Sequence, residues 1–437
     1  MSGDAGRSGG RPRTAVIGAG VSGLTAAYVL RRAHDVTLYE AADRLGGHAH
    51  THEVKGPDGE VRAVDSGFIV HNDRTYPLLN RLFGELGVTV RDTVMSMSVR
   101  CPGCGLEYAG AKGPRGLFTR PRSVVDAAYL RMLARVPAFH RAARRLLARP
   151  AAPGGPEVTL GEFLRAEGFD AHFTAHFAAP LVACVWSCPA GTALRYPARY
   201  LFRFLDHHGL LSITGSPRWR TVVGGSAAYV ERLRRELPSV RAATPVRSVT
   251  RLGGPGAPDG VEVRTADGAV ARYDAVVIAV HADRALELLA DPTPAERGTL
   301  GAFGYSRNVT VLHTDDSVLP RSAGARACWN LLLPGCLPDS GQVRVSYDMN
   351  LLQGLDGPRT HVVSLGARPG EIDPGTVIAR MEYEHPVYTP ESVAAQVSLP
   401  GLSGPRVAFA GAYHGWGFHE DGCRSGVAAA EALGVRW

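Results

Sequence analysis

Short apolar runs separated by glycine turns dominate the first forty residues. Residues 14–17 form a β-rich run, and the glycine-rich turn 18–23 follows at once. Residues 24–32 then have the apolar spacing of a helix, and residues 36–39 alternate like a second strand. The pattern predicts a β-strand, a helix and a second β-strand, with a glycine turn leading from the first strand into the helix.

Elements of the same kind recur in the middle and at the end of the chain, separated by helical, aromatic and strand-rich segments. Up to residue 237 the predicted elements are a helix at 78–86, an Arg-rich helix at 117–149, mixed helical and aromatic structure at 160–209 and a helix at 227–237. Strands follow at 246–249, 261–264 and 275–280, and strand-rich structure at 286–399. The chain ends with a strand at 407–410, a glycine-rich loop and a helix at 426–433. This order predicts one discontinuous domain that a second domain interrupts twice. The predicted parts are a disordered tail 1–13, the first domain at 14–85, 216–285 and 401–437, and the second at 86–215 and 286–400, with a loop or hinge at 151–156.

Length and composition exclude several classes of protein. The chain has 437 residues, of which 45% are hydrophobic and 20% are charged, enough for two or three packed domains and too apolar for general disorder. No segment approaches the ~18 consecutive apolar residues of a membrane span. The glycine-, serine- and arginine-rich start is not followed by the apolar run of a signal peptide, so we expect a cytoplasmic protein.

The positive charge consists almost entirely of arginine. Of 48 basic residues only Lys55 and Lys112 are lysines, and the net charge is +7. The arginines form no stripe interleaved with aromatic residues, so nucleic acid is not an expected partner. The arginines at 131–149 are typical of a solvated helix face; peripheral contact with a membrane surface is the alternative.

The seven cysteines do not indicate a disulfide framework. Cys101 and Cys104 have the spacing of half a zinc site, but the nearest second pair, Cys184 and Cys188, has a different spacing. A structural zinc needs four ligands, so the sequence predicts no metal site, with zinc bound by Cys101 and Cys104 as the alternative. The remaining three cysteines are predicted to be small buried residues: Cys328, Cys336 and Cys423.

The glycine turn has the features of a dinucleotide-binding loop. Gly18 permits a tight turn, Gly20 lets the backbone approach a pyrophosphate, and Gly23 allows close packing of helix on strand. Glu40 ends the second strand, where a carboxylate binds ribose hydroxyls and disfavours the 2′-phosphate of NADP. The strand, loop, helix, strand and acid together predict a dinucleotide site.

Two further segments favour FAD over NAD. Arg44 and the pair Gly46-Gly47 directly follow the second strand and add a cation and open backbone amides near the phosphates. The segment 409–426 is rich in glycine and aromatic residues and predicts a second loop-to-helix junction, whose positive end favours a reduced flavin.

These motifs resemble the superfamily of flavin amine oxidases, phytoene desaturases and protoporphyrinogen oxidases over essentially the whole chain. The stretches 65–77, 186–187, 207–210, 219–226, 383–386 and 411–422 resemble a bacterial branch of FAD-dependent oxidoreductases often associated with cyclopropane-fatty-acid synthases. The resemblance implies an α/β fold of two domains: a discontinuous Rossmann-like FAD-binding domain and an α+β substrate domain over the flavin ring.

The resemblance also implies a set of cofactor-binding residues. For the ADP half of FAD these are Gly18, Gly20, Val21, Ser22, Gly23, Glu40, Ala41, Arg44, Gly46, Gly47 and Val246. For the pyrophosphate, ribityl chain or ring they are His48, Gly67, Phe68, Gly411, Phe418, Asp421, Gly422 and Ser425.

One departure from the family concerns lysine. Monoamine- and polyamine-type relatives carry a lysine that holds a water beside the flavin, and this chain has no lysine after Lys112. We therefore expect a desaturase- or oxidase-type enzyme of lipid metabolism that removes hydride from an apolar fatty-acyl or isoprenoid-like substrate, with O2 or another electron acceptor. The alternatives are amine oxidation, a redox-neutral fatty-acid isomerase, and a flavin-binding protein without catalytic activity.

The final glycine-rich loop holds the candidate catalytic residues. Tyr413, Trp416 and Phe418 suit walls that exclude water beside a flavin, and Tyr413, Trp416 and His419 are the predicted catalytic residues. His414, Glu420 and Asp421 are further proton acceptors, with helix capping or ribityl binding as the alternative. An aromatic-rich middle region predicts either ordinary core or an apolar substrate tunnel: Trp186, Tyr196, Phe202, Phe204 and Trp219.

Overall fold

The structure, a computed structural model, describes residues 10–150, 157–212, 215–254, 257–336 and 343–437. Most of the predicted tail and the predicted hinge at 151–156 lie outside these residues. The described residues form twenty strands: β1 (Arg13–Ile17), β2 (Asp35–Tyr39), β3 (Thr51–Lys55), β4 (Val61–Asp65), β5 (Val70–Asn72), β6 (Val90–Asp92), β7 (Met97–Cys101), β8 (Leu106–Ala109), β9 (Trp219–Val222), β10 (Ser239–Arg241), β11 (Val246–Gly254), β12 (Ala257–Thr265), β13 (Val270–Tyr273), β14 (Ala275–Ile278), β15 (Gly304–His313), β16 (Trp329–Leu332), β17 (Val345–Asp348), β18 (Val362–Leu365), β19 (Val377–Val387) and β20 (Val407–Phe409).

The same residues form fifteen α-helices. They are α1 (Val21–Leu30), α2 (Pro77–Glu85), α3 (Gly113–Leu117), α4 (Ala127–Ala148), α5 (Leu160–Ala166), α6 (Ala171–Phe173), α7 (Ala179–Trp186), α8 (Ala190–Ala193), α9 (Ala198–His207), α10 (Ala227–Glu236), α11 (Ala282–Leu288), α12 (Pro294–Leu300), α13 (Met349–Gln353), α14 (Pro390–Gln396) and α15 (His419–Ala432). Within the described ranges, no helix is both long and apolar enough to cross a bilayer.

A five-stranded parallel sheet takes its strands from the start, the middle and the end of the chain. Its order is β10-β2-β1-β14-β20. Because side chains alternate along a strand, Val16 packs toward α1, α10 and α15, whereas Ala15 and Ile17 pack toward the antiparallel sheet β11-β12-β13. The ends of the predicted domain segments stay a prediction.

The largest sheet of the described residues has seven strands, in the order β19-β15-β18-β17-β16-β7-β8. It is antiparallel except where β16 runs parallel to β7. Helices α4 to α9 contribute to its apolar core, which contains four of the five residues in the predicted aromatic region: Trp186, Tyr196, Phe202 and Phe204. The fifth, Trp219, is only half-buried and lies on β9, which pairs with β5 and β6 in a separate three-stranded sheet.

Two predicted helices have different bounds in the structure. The predicted helix 117–149 starts where α3 already ends, continues into a 3₁₀ turn at Pro121–Val124 and becomes a regular helix only in α4. Helix α4 begins where the Asp126 side chain accepts from the N–H groups of Ala128 and Tyr129. The final helix begins at His419, seven residues before the predicted start at 426. The prediction was wrong because Gly422 indicated a loop, whereas it lies in the helix and faces Val21 of α1.

The arginines of α4 are only partly free for an outside surface. Arg135 donates to the carbonyl of Gly168 at 2.9 Å and lies over the ring of Phe169, and Arg145 pairs with Glu167 at 2.8 Å. Arg131 and Arg141 are exposed. Contact of this helix with a membrane surface stays a prediction.

The packing of α1 on α15 depends on glycine. A Cβ at Gly426 would overlap the carbonyl oxygen of Ser22 and lie 3.0 Å from the amide nitrogen of Ala26. We expect Gly426→Ala to lower the free energy of unfolding by about 2 kcal/mol, since backbone atoms on α1 cannot yield without moving the helix. Gly298→Ala on α12, where no atom lies within 4 Å of the added carbon, is the matched control and should not destabilise. Equal denaturation midpoints for the two variants would contradict the prediction.

Candidate active site

The predicted dinucleotide loop joins β1 to α1. Gly18 has φ of +98°, in the left-handed region where glycine is favoured, and its amide donates to the carbonyl of Tyr39 at 2.8 Å. A Cβ at Gly23 would overlap the carbonyl oxygen of Gly18. Both glycines are therefore required by contacts within the chain itself.

Gly20 differs from these two glycines. No atom of the described chain lies within 4 Å of the place where its Cβ would be, and its φ of −71° suits any residue. It precedes the first turn of α1, which has no side-chain cap and no acidic residue. An uncapped helix start behind an open glycine suits an anion such as a pyrophosphate, and Val21 and Ser22 supply the first amides of that helix.

The second glycine pair lies directly against the first loop. The Gly46 amide donates to the carbonyl of Ala19 at 2.8 Å, and a Cβ at Gly47 would be 3.2 Å from the Cα of Gly20. Gly47 is exposed, and the Arg44 guanidinium donates to its carbonyl at 2.9 Å. The structure thus brings this predicted cation and the predicted open backbone to the same end of α1.

Glu40 is fixed by two backbone donors. Its carboxylate accepts from the amide of Ala19 at 2.7 Å and from that of Ala42 at 2.9 Å. The Thr244 amide donates to the Glu40 carbonyl at 2.8 Å, just before β11 starts at Val246. Ala41 is exposed beside them. The carboxylate retains lone pairs for ribose hydroxyls, so these residues fit the ADP half of FAD.

His48, Gly67 and Phe68 form one contact beyond the phosphate loops. The Phe68 amide donates to the His48 carbonyl at 2.7 Å, and a Cβ at Gly67 would overlap that same oxygen. Burial lowers the pKa of His48 well below its usual range, so the ring is neutral, and its Nε2 atom has no partner in the part of the chain that the structure describes. A half-buried neutral ring whose buried Nε2 atom is unused fits a polar ligand at this position.

The C-terminal glycine-rich loop is bound by three helices, α7, α9 and α14. The Tyr200 hydroxyl donates to the Gly415 carbonyl at 2.7 Å, and the Gln396 amide group donates to the same oxygen at 2.7 Å and to the Tyr413 carbonyl at 2.8 Å. The Trp186 indole N–H donates to the Trp416 carbonyl at 3.1 Å. Because α7, α9 and α14 all hold this loop, its geometry depends on how the two domains pack.

The two carboxylates that start α15 have structural partners. Asp421 accepts from the amides of Trp416 and Phe418 and pairs with Arg424, while Glu420 accepts from the amides of Leu78 and Leu79 at the start of α2. Burial raises the pKa of both carboxyls. Each of them caps backbone groups, and the positive end of α15, unlike that of α1, is compensated by its own side chains.

The remaining predicted residues of this segment are tightly packed. Ser425 accepts from the Gly411 amide at 2.9 Å and donates to the Gly422 carbonyl at 2.8 Å. A Cβ at Gly422 would lie 2.6 Å from Cγ1 of Val21. Gly411 and Ser425 therefore tie the end of β20 to α15, and Gly422 lets the starts of α1 and α15 approach each other.

The three predicted catalytic residues pack in different surroundings. Tyr413 is buried against Phe303 on the five-stranded sheet, and burial raises the pKa of its hydroxyl well above the usual value. His419 stacks on Phe68 with ring centres 3.7 Å apart and lies 3.2 Å from the Tyr229 hydroxyl. Burial, with His71 nearby, lowers the His419 pKa to about 3, so this ring is neutral near pH 7.

Trp416 belongs to an aromatic wall between the loop and helices α7 and α9. Phe418 stacks on Phe204 with ring centres 4.8 Å apart, and Trp416 lies 5.8 Å from Phe204 and 6.2 Å from Tyr200. Trp186 is 4.7 Å from Phe204. The wall is apolar, and it is built from two domains that meet at the predicted flavin-binding loop.

Sequence reasoning missed a buried polar network beside this region. The Asp65 carboxylate accepts from the Thr51 hydroxyl, from the Ser226 amide and hydroxyl, and from the Gln353 amide group. Desolvation raises the Asp65 pKa to about 6. Asp65 and Ser226 fall in stretches that resemble the bacterial branch, but Gln353 and the loop-binding Gln396 carried no signal, because neither belongs to a motif.

Comparisons with known proteins bear on the identity of the site. A family model described as flavin containing amine oxidoreductase matches residues 21–363. Tryptophan 2-monooxygenase from Allorhizobium ampelinum is 54% identical over 48 residues, which are 10% of this chain and 7% of that protein. The match thus spans a small part of that relative's length.

Solved structures match the whole fold. The CLA-producing fatty acid isomerase from P. acnes has a TM-score of 0.66 and 19% identity over 95% of this chain and 97% of its own. Putrescine oxidase bound to putrescine has a TM-score of 0.67 and 16% identity over 97% of this chain and 98% of its own. The two-domain α/β fold is confirmed, and the family match confirms FAD as the cofactor. The chain belongs to the flavin-containing amine oxidoreductases, a family of FAD-dependent oxidoreductases, as the sequence predicts.

Proposed function

We propose that this protein removes a hydride from a carbon atom of an apolar, fatty-acyl or isoprenoid-like substrate and yields a desaturated product. The observation that carries the proposal is the aromatic wall formed by Trp186, Phe204, Trp416 and Phe418 at the predicted flavin-binding loop. FAD, when bound, supplies the hydride acceptor. The chain's own residues bind the apolar part of the substrate and exclude water.

The positions of the two lysines support the same choice of substrate. Lys55 is exposed on β3, and Lys112 is exposed at the start of α3, where its ammonium donates to the Arg326 carbonyl. In the described structure, neither lysine contacts the aromatic wall, the loop at residues 18–23 or the C-terminal glycine-rich loop. A lysine-held water of the amine-oxidase type therefore has no source among these side chains.

The proposed roles of the predicted catalytic residues differ. Trp416 is part of the aromatic wall. Tyr413 holds the C-terminal loop in place by packing on Phe303. His419 holds a hydrogen bond with Tyr229 as a neutral ring, because a pKa of about 3 leaves it uncharged at neutral pH. Reoxidation by O2 or another acceptor, and a cytoplasmic location, complete the proposal.

The test is anaerobic reduction of the FAD-loaded protein by separate panels of unsaturated fatty acids, isoprenoids and amines. We expect bleaching of the flavin absorbance with one of the two lipid panels and a product lighter by two hydrogens. Bleaching with amines alone would refute the proposal. A rearranged lipid of unchanged mass would instead assign a redox-neutral isomerase, and binding of FAD without turnover of any panel would favour a non-catalytic protein.

A variant pair links the activity to the wall. Trp416→Leu should raise KM for the lipid roughly tenfold or more, because a large apolar contact area is lost. Trp437→Leu is the control, since Trp437 packs on Arg81 and donates to Glu85 at the surface of α2. Equal KM values for the two variants would place the substrate away from the wall.

A further inference from the structure

We propose that Cys101, Cys104, His176 and Cys336 bind a structural zinc ion. One ligand atom from each of these residues lies within 4.8 Å of all the others. The Sγ atoms of Cys101 and Cys336 are 3.8 Å apart, and Cys104 Sγ is 3.5 Å from His176 Nε2. The sequence predicted no metal because it showed only half a site; the other half comes from two distant segments.

These distances are the ones that tetrahedral zinc requires. With Zn–S bonds of ~2.3 Å and Zn–N bonds of ~2.0–2.1 Å, a regular tetrahedron separates two sulfurs by ~3.8 Å and a sulfur from a nitrogen by ~3.5 Å. Both observed separations agree with these values. A set of three thiols and one imidazole is a standard donor set for structural zinc.

The hairpin between β7 and β8 presents two of the ligands. Cys101 ends β7, and the Gly105 amide donates to its carbonyl at 2.9 Å with Gly105 in the left-handed region at φ +74°. A Cβ at Gly103 would lie 3.3 Å from Cys336 Sγ. The glycines thus turn the chain tightly and leave room for the third thiol to approach the hairpin.

The sequence also predicted that Cys336 is a small buried residue, and this prediction was wrong. Cys336 is exposed, whereas Cys328 and Cys423 are buried as expected. Its segment leaves β16, which pairs with β7, so the two strands carry Cys101 and Cys336 to the same end of the sheet. Cys184 and Cys188, the pair nearest in sequence, are buried and take no part in the cluster.

The histidine is oriented by its surroundings. His176 lies in a π-helical turn, Thr174–Ala178, a distortion that often marks a functional position. The His176 Nδ1 atom is 3.1 Å from the His172 carbonyl oxygen. The Tyr108 hydroxyl donates to the backbone carbonyl of His176 at 2.8 Å. A proton on Nδ1 that binds this carbonyl leaves the Nε2 lone pair for a metal, the usual arrangement around zinc-bound histidine.

Four protein ligands make the proposed site structural rather than catalytic. The proposed site joins the β7–β8 hairpin, the π-helical turn that carries His176 and the segment after β16. The predicted phosphate-binding loops lie instead at the five-stranded sheet. Binding needs thiolates, so Zn²⁺ would displace the three thiol protons to solvent, and its binding free energy would stabilise the fold.

The test is the metal content of the full-length flavoprotein. We expect about one zinc per chain by elemental analysis. Replacing zinc with Co²⁺ should produce thiolate-to-cobalt charge-transfer absorption, which His176→Gln should shift. Cys104→Ser and Cys336→Ser should lose the metal; both residues are exposed, so these variants should retain the flavin.

The control is Cys184→Ala, which removes a buried thiol outside the cluster and should retain the zinc. A chelator should lower the melting temperature of the parent protein but not of Cys336→Ser. Protein without zinc after growth in zinc-supplemented medium, unchanged zinc content in Cys104→Ser, or a Cys101–Cys336 disulfide in the native protein would each overturn the proposal.

Discussion

Gly20→Ala is expected to fold normally and to lose most of its affinity for FAD. The added carbon meets no atom of the described chain within 4 Å, and the backbone angles already suit alanine. It would, however, occupy the space in front of the uncapped start of α1, where we place the pyrophosphate. We expect the Kd for FAD to rise on the order of a hundredfold, about 2.7 kcal/mol.

Flavin titration of the apoprotein measures this effect, and chemical denaturation of the same apoprotein checks the fold. Gly84→Ala on α2 is the control, since its added carbon also meets no atom within 4 Å and it lies outside the phosphate loops. Flavin affinity that is unchanged in Gly20→Ala would show that the pyrophosphate binds elsewhere. A loss of apoprotein stability would show instead that Gly20 is a packing residue like Gly23.

The protein is also expected to lose stability steeply as the pH falls below about 6.5. Burial lowers the pKa of one histidine to about 3, His419, and of seven to about 4: His50, His71, His140, His208, His313, His385 and His414. In the unfolded chain these groups titrate near ~6.5. Their neutral forms therefore contribute stability that is fully present above that value and is lost as the pH falls toward 4.

The sign follows from proton uptake. Between pH 6.5 and 4 the unfolded chain binds more protons than the folded one, so the free energy of unfolding falls with falling pH. The carboxyls of Asp65, Asp348, Glu420 and Asp421, whose pKa values burial raises, contribute with the opposite sign, but they are four groups against eight histidines. Chemical denaturation at several pH values from 7.5 to 5 measures the slope.

One variant isolates a single contribution to this slope. His71 is fully buried against Phe68 and Phe83, and neither ring nitrogen has a partner within the described residues. His71→Phe should reduce the slope by up to one proton without loss of stability at pH 7.5. His207→Gln changes an exposed histidine and should reduce it less. A slope that is the same in both variants and the parent would contradict the assignment of His71.

The local features of the fold were predictable from the sequence. The unit β1, α1 and β2 follows from apolar spacing over 27 residues. Gly23 is required by its contact with Gly18 inside that unit, and Gly18 by its left-handed backbone. The start of α15 was not predictable, because the sequence before residue 426 is typical of a glycine-rich loop. Gly422 is accommodated in the helix because α1 packs against it.

The candidate site divides in the same way. The sequence determined the phosphate loops, with Gly20, Gly46 and Glu40 brought together by strands adjacent in the sheet, and with them FAD and the family. Only the tertiary structure decided that Glu420 caps α2, that Gln396 binds the C-terminal loop and that Cys336 and His176 meet the Cys101 hairpin. The physical reason is sequence distance: spacing within one turn or strand constrains the backbone directly, whereas Cys101 and Cys336 are 235 residues apart and meet only through the packing of β16 on β7.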